Sequence, residues 1–202
     1  QSSREMDVVW KALEWGGRQF ELFPRFMYND YEGWKAVVES RPYNALHKAL
    51  AEADTAIAPE AAKLIAKNGI REVYSMGPSP KVDRVLLEEI VKAGGKVTYC
   101  PVDVNPNAIK AALDEVTTHL TSAFGSELWK QHVSFGNCQP TDFDKVKSSG
   151  PACVFYAGGT IMNDRAFWRQ AGRIAQKGGI VVASAAVNRD DSDHAEYWLS
   201  MY

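Results

Sequence analysis

Apolar positions change period near residue 70 of the chain. Before that point they recur at helical spacing in "MDVVWKALEWGGRQFELFPRFM", "YEGWKAVVESRPYNALHKALAEA" and "APEAAKLIAKNG", so residues 1–68 are expected to form a helical cap. From Arg71 short apolar runs alternate with helix-length amphipathic stretches. "REVYSM", "KVTYCPVDV", "LWKQHVSFG", "ACVFYAGG" and "GIVVASAAV" are the expected strands. Between them lie "PKVDRVLLEEIVKAGG", with Val82, Val85, Leu86 and Ile90 on one face, "NPNAIKAALDEVTTHLTSAFG", and "DRAFWRQAGRIAQKGG". Asn105 before Pro106 is a strong helix-start signal, an N-cap followed by a residue whose missing N–H costs nothing at the first helical position.

Strands separated by helical crossovers indicate an α/β fold, a parallel sheet with helices on both faces. Residues 69–202 are expected to form this Rossmann-like domain. Right-handed crossovers leave few arrangements, and the expected strand order is 3-2-1-4-5. In such sheets ligands lie beyond the carboxyl ends of the strands, beside the switch point. The loops at those ends are "SMGPSP", "PVDVNP", "SFGNCQP" and "YAGGTIMN".

Composition narrows the function classes. A net charge of −2 without a Lys/Arg stripe argues against nucleic acid as a partner. No apolar run reaches bilayer length, and no signal-peptide pattern stands at the N-terminus, so no membrane role and a cytoplasmic location are expected. Cys100, Cys138 and Cys153 lack metal spacing and are expected as reduced thiols. The run "DDSDH" at 190–194 reads as a solvated acidic loop, and no metal is expected. Trp10, Trp15, Phe20, Phe23, Phe26, Tyr28, Tyr31 and Trp34 concentrate the aromatics near the start, as the covering faces of the cap or the wall of an acceptor pocket.

The loops suit an adenosine ligand. Gly77 lets a ligand approach the main chain, and the helix after it points N–H groups at the same space. Asp103 follows Gly77 by 26 positions, near the spacing at which an acid takes the two ribose hydroxyls; its alternative is helix capping, for which Asn105 is better placed. Asn137 offers an amide to an adenine edge. Near the first loop only Lys81 is basic, so a pyrophosphate finds no cradle, and S-adenosylmethionine is favoured over NAD.

These residues carry a resemblance. "VFYAGGTIMN", "SMGPSPKVDRVLLEEI" and "YCPVDVNPNAIKAAL" are similar, in order and spacing over about residues 70–187, to segments of the histidine-specific Nα-methyltransferase family, the ergothioneine-pathway enzymes and their relatives. The resemblance implies an S-adenosylmethionine-dependent methyltransferase acting on a small molecule, the amino group of an amino acid or a related amine. It implies Gly77 against the methionine moiety, Asp103 on the ribose, Asn137 at the adenine, and Gly158 and Gly159 beside the sulfonium. The full set expected around the cofactor is Ser75, Gly77, Ser79, Lys81, Asp103, Val104, Asn137, Cys138, Tyr156, Gly158 and Gly159, with Thr160 and Asn163 at the acceptor.

There are departures from the family pattern. The first loop is one residue shorter, carries one glycine where the family has two, and has Ser75 in place of Glu. The family's N-terminal acceptor motif is not recognisable before "PEAAKLIA". The chain stops at "DSDHAEYWLSMY", where the family continues into two further strands and a substrate domain. A shortened chain, a homodimer that completes the pocket, and a non-catalytic relative binding an adenosyl metabolite or a partner are the readings this leaves. Tyr156, Asp164 and His194 are the nearest candidates for a general base, while His47, His119 and His132 are expected on helix or strand surfaces; no catalytic side chain is assigned. A nicotinamide-dependent oxidoreductase is the remaining alternative, and "GPSPKV" lacks its G-x-G-x-x-G.

Overall fold

The computed structural model describes residues 41–141, 145–156 and 178–183, with Arg169, Gly172 and Arg173. In chain order the elements are α1 (Arg41–Lys67), β1 (Glu72–Met76), α2 (Pro80–Lys92), β2 (Val97–Val102), α3 (Pro106–Phe124), α4 (Ser126–Trp129), β3 (Val133–Phe135), β4 (Ala152–Tyr156) and β5 (Ile180–Ala183). The five strands form a parallel sheet in the order β3-β2-β1-β4-β5. That is the expected order, with the switch point between β1 and β4.

Alternation along each strand divides the core in two. Val73, Tyr99, Val133, Cys153 and Phe155 face the helices, and Ala58, Ala62 and Ile65 of α1 join Val82, Leu86, Leu87 and Ile90 of α2 and Val116 and Leu120 of α3 above them. Tyr74, Met76, Cys100, Val102, Ala152, Val154 and Tyr156 form the core of the opposite face. The crossover helices α2 and α3 lie on one face, because β1→β2 and β2→β3 step in the same direction and right-handed crossovers then share a side, and α1, which precedes β1, packs into the same core. Most of the helix expected over 164–179 lies outside the described residues, with Arg169, Gly172 and Arg173 helical where described, and the aromatics between Trp10 and Trp34 lie outside them altogether.

Two expected elements differ. The break read between "HKALAEA" and "APEAAKLIAKNG" is absent: α1 runs through Pro59. A mid-helix proline costs about 3 kcal/mol in isolation, and burial of Ala58, Ala61, Ala62 and Ile65 in the core shared with α2 and the sheet offsets it. The third strand is shorter than "LWKQHVSFG". Leu128 and Trp129 belong to the helical turn α4, where the buried Trp129 indole donates to Thr121 Oγ1 at 3.0 Å. Trp129 is apolar for helix packing, and period alone does not separate that from a strand.

Candidate functional site

The first strand-end loop, 76–79, is held at its middle by Gly77, whose N–H donates to Val102 O at 2.9 Å. Its φ of 62° lies in the left-handed region open to glycine. Ser79 is the N-cap of α2 and Pro80 the first helical residue, as the sequence signals. The Ser79 carbonyl accepts from the amides of Val82 and Asp83 at 2.9 Å, while its hydroxyl makes no capping bond. Lys81 is exposed in the first turn.

Ser75 is not at the loop's open side. It is fully buried, and its hydroxyl donates to both carboxylate oxygens of Asp83, at 3.0 and 2.9 Å. Its odd position in β1 turns it toward α2 with Val73, so its place is beneath the helix and away from the mouth.

Asp103 stands just past β2 and is 7% exposed. Its Oδ1 accepts the Asn105 N–H at 2.7 Å, and Asn105 Oδ1 in turn caps α3 by accepting the Asn107 N–H at 2.9 Å. Asn105 is therefore the residue that caps α3, as the sequence suggests. Burial raises the Asp103 carboxyl to about 6, against the opposing pull of the Asn105 and Val104 backbone amides. A carboxylate offers roughly four lone-pair sites, and two amides leave room for further donors.

Pro101 interrupts the β2–β3 ladder beside it. Val97 N–H donates to His132 O at 2.8 Å and Gly136 N–H to Tyr99 O at 2.9 Å, so the next rung would run from residue 101 to Gly136 O. Proline has no N–H, and the β2–β3 ladder stops. The Cys138 thiol takes Gly136 O instead, at 3.3 Å. The chain arches over 137–140 and returns where Thr141 N–H meets Asp103 O at 2.9 Å. Asn137 and Cys138 are thereby brought beside Asp103. Asn137 Oδ1 accepts the Gln139 N–H at 3.1 Å, and Asn137 itself is exposed. Gly136 is required here: a Cβ would overlap Cys100 Sγ and Thr98 Cγ2.

Tyr156 ends β4 fully buried within the second face of the core, with Met76 and Val102. It is an interior residue and does not meet solvent as a general base would. Gly158, Gly159, Thr160 and Asn163, with Asp164 and His194, lie outside the described residues. His119 pairs with Glu88 across α2 and α3 at 2.5 Å and His132 Nδ1 lies 2.7 Å from Gly95 O, both away from the loops. Cys100, Cys138 and Cys153 are free thiols, and burial pushes Cys100 up to about 11.

Sequence reasoning passed over Asp83, Tyr99 and Pro101. Asp83 had a visible signal: a carboxylate on the same helix face as Val82, Leu86 and Ile90 must be met by buried donors. Pro101 had one too, a proline inside a strand flanked by two others.

The family model described as histidine-specific methyltransferase, SAM-dependent, matches residues 21–183, well over half of the chain. Among solved structures the chain is similar to an uncharacterised protein from Burkholderia thailandensis, at 20% identity and a TM-score of 0.33, covering 58% of this chain and 27% of that one. It is also similar to a candidate methyltransferase from Thermobifida fusca YX, at 12% identity and a TM-score of 0.43, covering 83% of this chain and 65% of that one. The chain thus spans less than two thirds of either structure. No curated protein matches it. The chain belongs to the histidine-specific, S-adenosylmethionine-dependent methyltransferase family.

Proposed function

We propose that this chain binds S-adenosylmethionine over the carboxyl ends of β1, β2 and β4 and serves methyl transfer to the amino group of an amino acid or a related small amine. The observation that carries the reading is Asp103: a buried carboxylate at the end of β2, with acceptor capacity beyond its two backbone amides, beside the Gly77 loop. Vicinal ribose hydroxyls are the donors that such a group suits, since each would make a charge-assisted bond in a poorly solvated place.

In this reading Gly77 and Ser79 lie along the methionine end, with Lys81 at the rim. Val104, Asn137 and Cys138 border the adenine, and Asn137 Oδ1 has a second lone pair for the adenine amino group. Tyr156 supports the floor from within. Gly158 and Gly159 would border the sulfonium, and Thr160 and Asn163 the acceptor. The bound cofactor supplies an electrophilic methyl on a positively charged sulfur. The protein's part is to hold cofactor and acceptor in line and exclude water, which alone lowers such a barrier by several kcal/mol.

Residues 1–68 are proposed as the cap of this pocket, and the apolar tail "HAEYWLSMY" as a homodimer contact, which light scattering decides. The three thiols fit a reducing compartment such as the cytoplasm.

Calorimetry with S-adenosylmethionine, S-adenosylhomocysteine and NAD tests the reading. Binding of both adenosyl ligands without NAD is expected. Absence of adenosyl binding, or preference for NAD, overturns it.

A further inference from the structure

Beneath the first loop lies a polar group that the site described so far does not use. Asp83 is 1% exposed, in the first turn of α2. Its Oδ1 and Oδ2 accept the Ser75 hydroxyl at 3.0 and 2.9 Å, and Oδ2 accepts the Tyr99 phenol at 2.5 Å. Tyr99 is 1% exposed and Ser75 0%. The carboxylate therefore draws its side-chain donors from β1 and β2 while its own backbone belongs to α2.

The arrangement closes a ring around the loop. The Asp83 side chain holds Ser75, the residue before Met76. Its backbone N–H holds Ser79 O at 2.9 Å, at the far end of the same loop. The four residues 76–79 are spanned by one residue gripping both ends, and Gly77 N–H pins the middle to Val102. A loop tied at both ends and the centre has lost its conformational freedom before any ligand arrives, and ordering entropy is then not charged to binding.

We propose that Asp83 is a positioning residue for the cofactor loop, acting through Ser75 and Tyr99 to preorganise Gly77 and Ser79 against the methionine end of an adenosyl ligand. This rests on the reading of the site given above. It assigns Ser75 an indirect role: the serine shapes the loop through the carboxylate and does not touch the ligand.

Removing Asp83 orphans two buried hydroxyls and endangers the fold, so the test uses Ser75→Ala and Tyr99→Phe, each of which leaves Asp83 one side-chain donor, with Asp83→Asn as a third variant. Two readouts are needed. The first is amide hydrogen exchange of the ligand-free protein. Both single variants are expected to speed exchange at the amides of Gly77, Val82 and Asp83 about tenfold while those of Gly136 and Thr141 keep their rates. Equal acceleration of both sets, a global loss of stability, overturns the proposal, as does no change in either.

The second readout compares S-adenosylmethionine with adenosine, which lacks the methionine end. The variants are expected to weaken the former about tenfold and leave adenosine within about twofold. Equal losses for the two ligands overturn the positioning role. If the unaltered protein binds neither ligand, the adenosyl reading itself has failed and the ligand half of the proposal falls with it. The exchange result still decides whether Asp83 orders the loop.

Discussion

Asp83 and Asp103 are both buried carboxylates within a short distance of the same strand ends, yet they have opposite surroundings. Asp83 is met by a serine and a tyrosine hydroxyl, each donating from a fixed strand. Asp103 is met by backbone amides of its own turn, and burial drives its carboxyl upward to about 6. Burial alone therefore does not mark a binding group. In the proposed reading, what sets Asp103 apart is acceptor capacity beyond the backbone amides it meets among the described residues. Asp83 is satisfied by side-chain donors from two strands, whereas Asp103, in the proposed reading, takes its further donors from the ligand.

The sharpest way to break this comparison is to remove each acid and measure stability. Asp83→Ala leaves the Tyr99 and Ser75 hydroxyls buried without their acceptor and is expected to cost about 2–5 kcal/mol in urea unfolding. Asp103→Asn at neutral pH is expected to be neutral or stabilising, because it removes the cost of ionising a buried carboxyl. Equal losses at both positions would erase the distinction.

The pH dependence of Asp103 separates them further. Its folded value near 6 lies above the ordinary 3.8, so the native state binds more protons between those values. Stability is then fully present below about pH 4, falls as pH rises through 6, and is flat beyond, by about 2–3 kcal/mol in all. Asp103→Asn is expected to flatten that slope. Ligand affinity runs the other way, since ribose hydroxyls prefer the ionised form: S-adenosylmethionine should bind more tightly as pH rises from 5 to 7, about tenfold per unit at most. Calorimetry at three pH values checks the sign.

At fixed neutral pH, Asp103→Ala is expected to weaken adenosyl-ligand binding by about 1.5–3 kcal/mol, the worth of hydrogen bonds to a charged group. An unchanged dissociation constant with the circular dichroism intact would remove the ribose role.

The smallest expected effect probes the arch beside Asp103. Gly136→Ala would press on Cys100 Sγ and is expected to cost about 1–2 kcal/mol. Cys100→Ala in the same chain should recover part of that loss in a double-mutant cycle, the overlap with Thr98 Cγ2 remaining. Additive losses would show that the arch is not seated on Cys100.

Much of the fold was legible in the chain. Strand–helix alternation from Arg71, the Ser79–Pro80 and Asn105–Pro106 helix starts, and the handedness of crossovers were enough for a parallel sheet in the order now seen. Local rules sufficed because each concerns residues adjacent in sequence. The position of Asp103 at a strand end and its freedom from capping were legible for the same reason, given Asn105 two residues on.

Other features depended on residues far apart. α1 passes through Pro59 because α2 and the sheet bury the residues around it, which no helix propensity contains. "LWKQH" became a turn because Trp129 found Thr121 on α3. Whether Ser75 faced the ligand or the interior turned on Asp83 and Tyr99, eight and 24 positions away, converging on one carboxylate. A chain by itself shows which groups need partners. Only the tertiary structure decides which partners arrive, because a buried hydrogen bond depends on distance in space and strand pairing sets that distance.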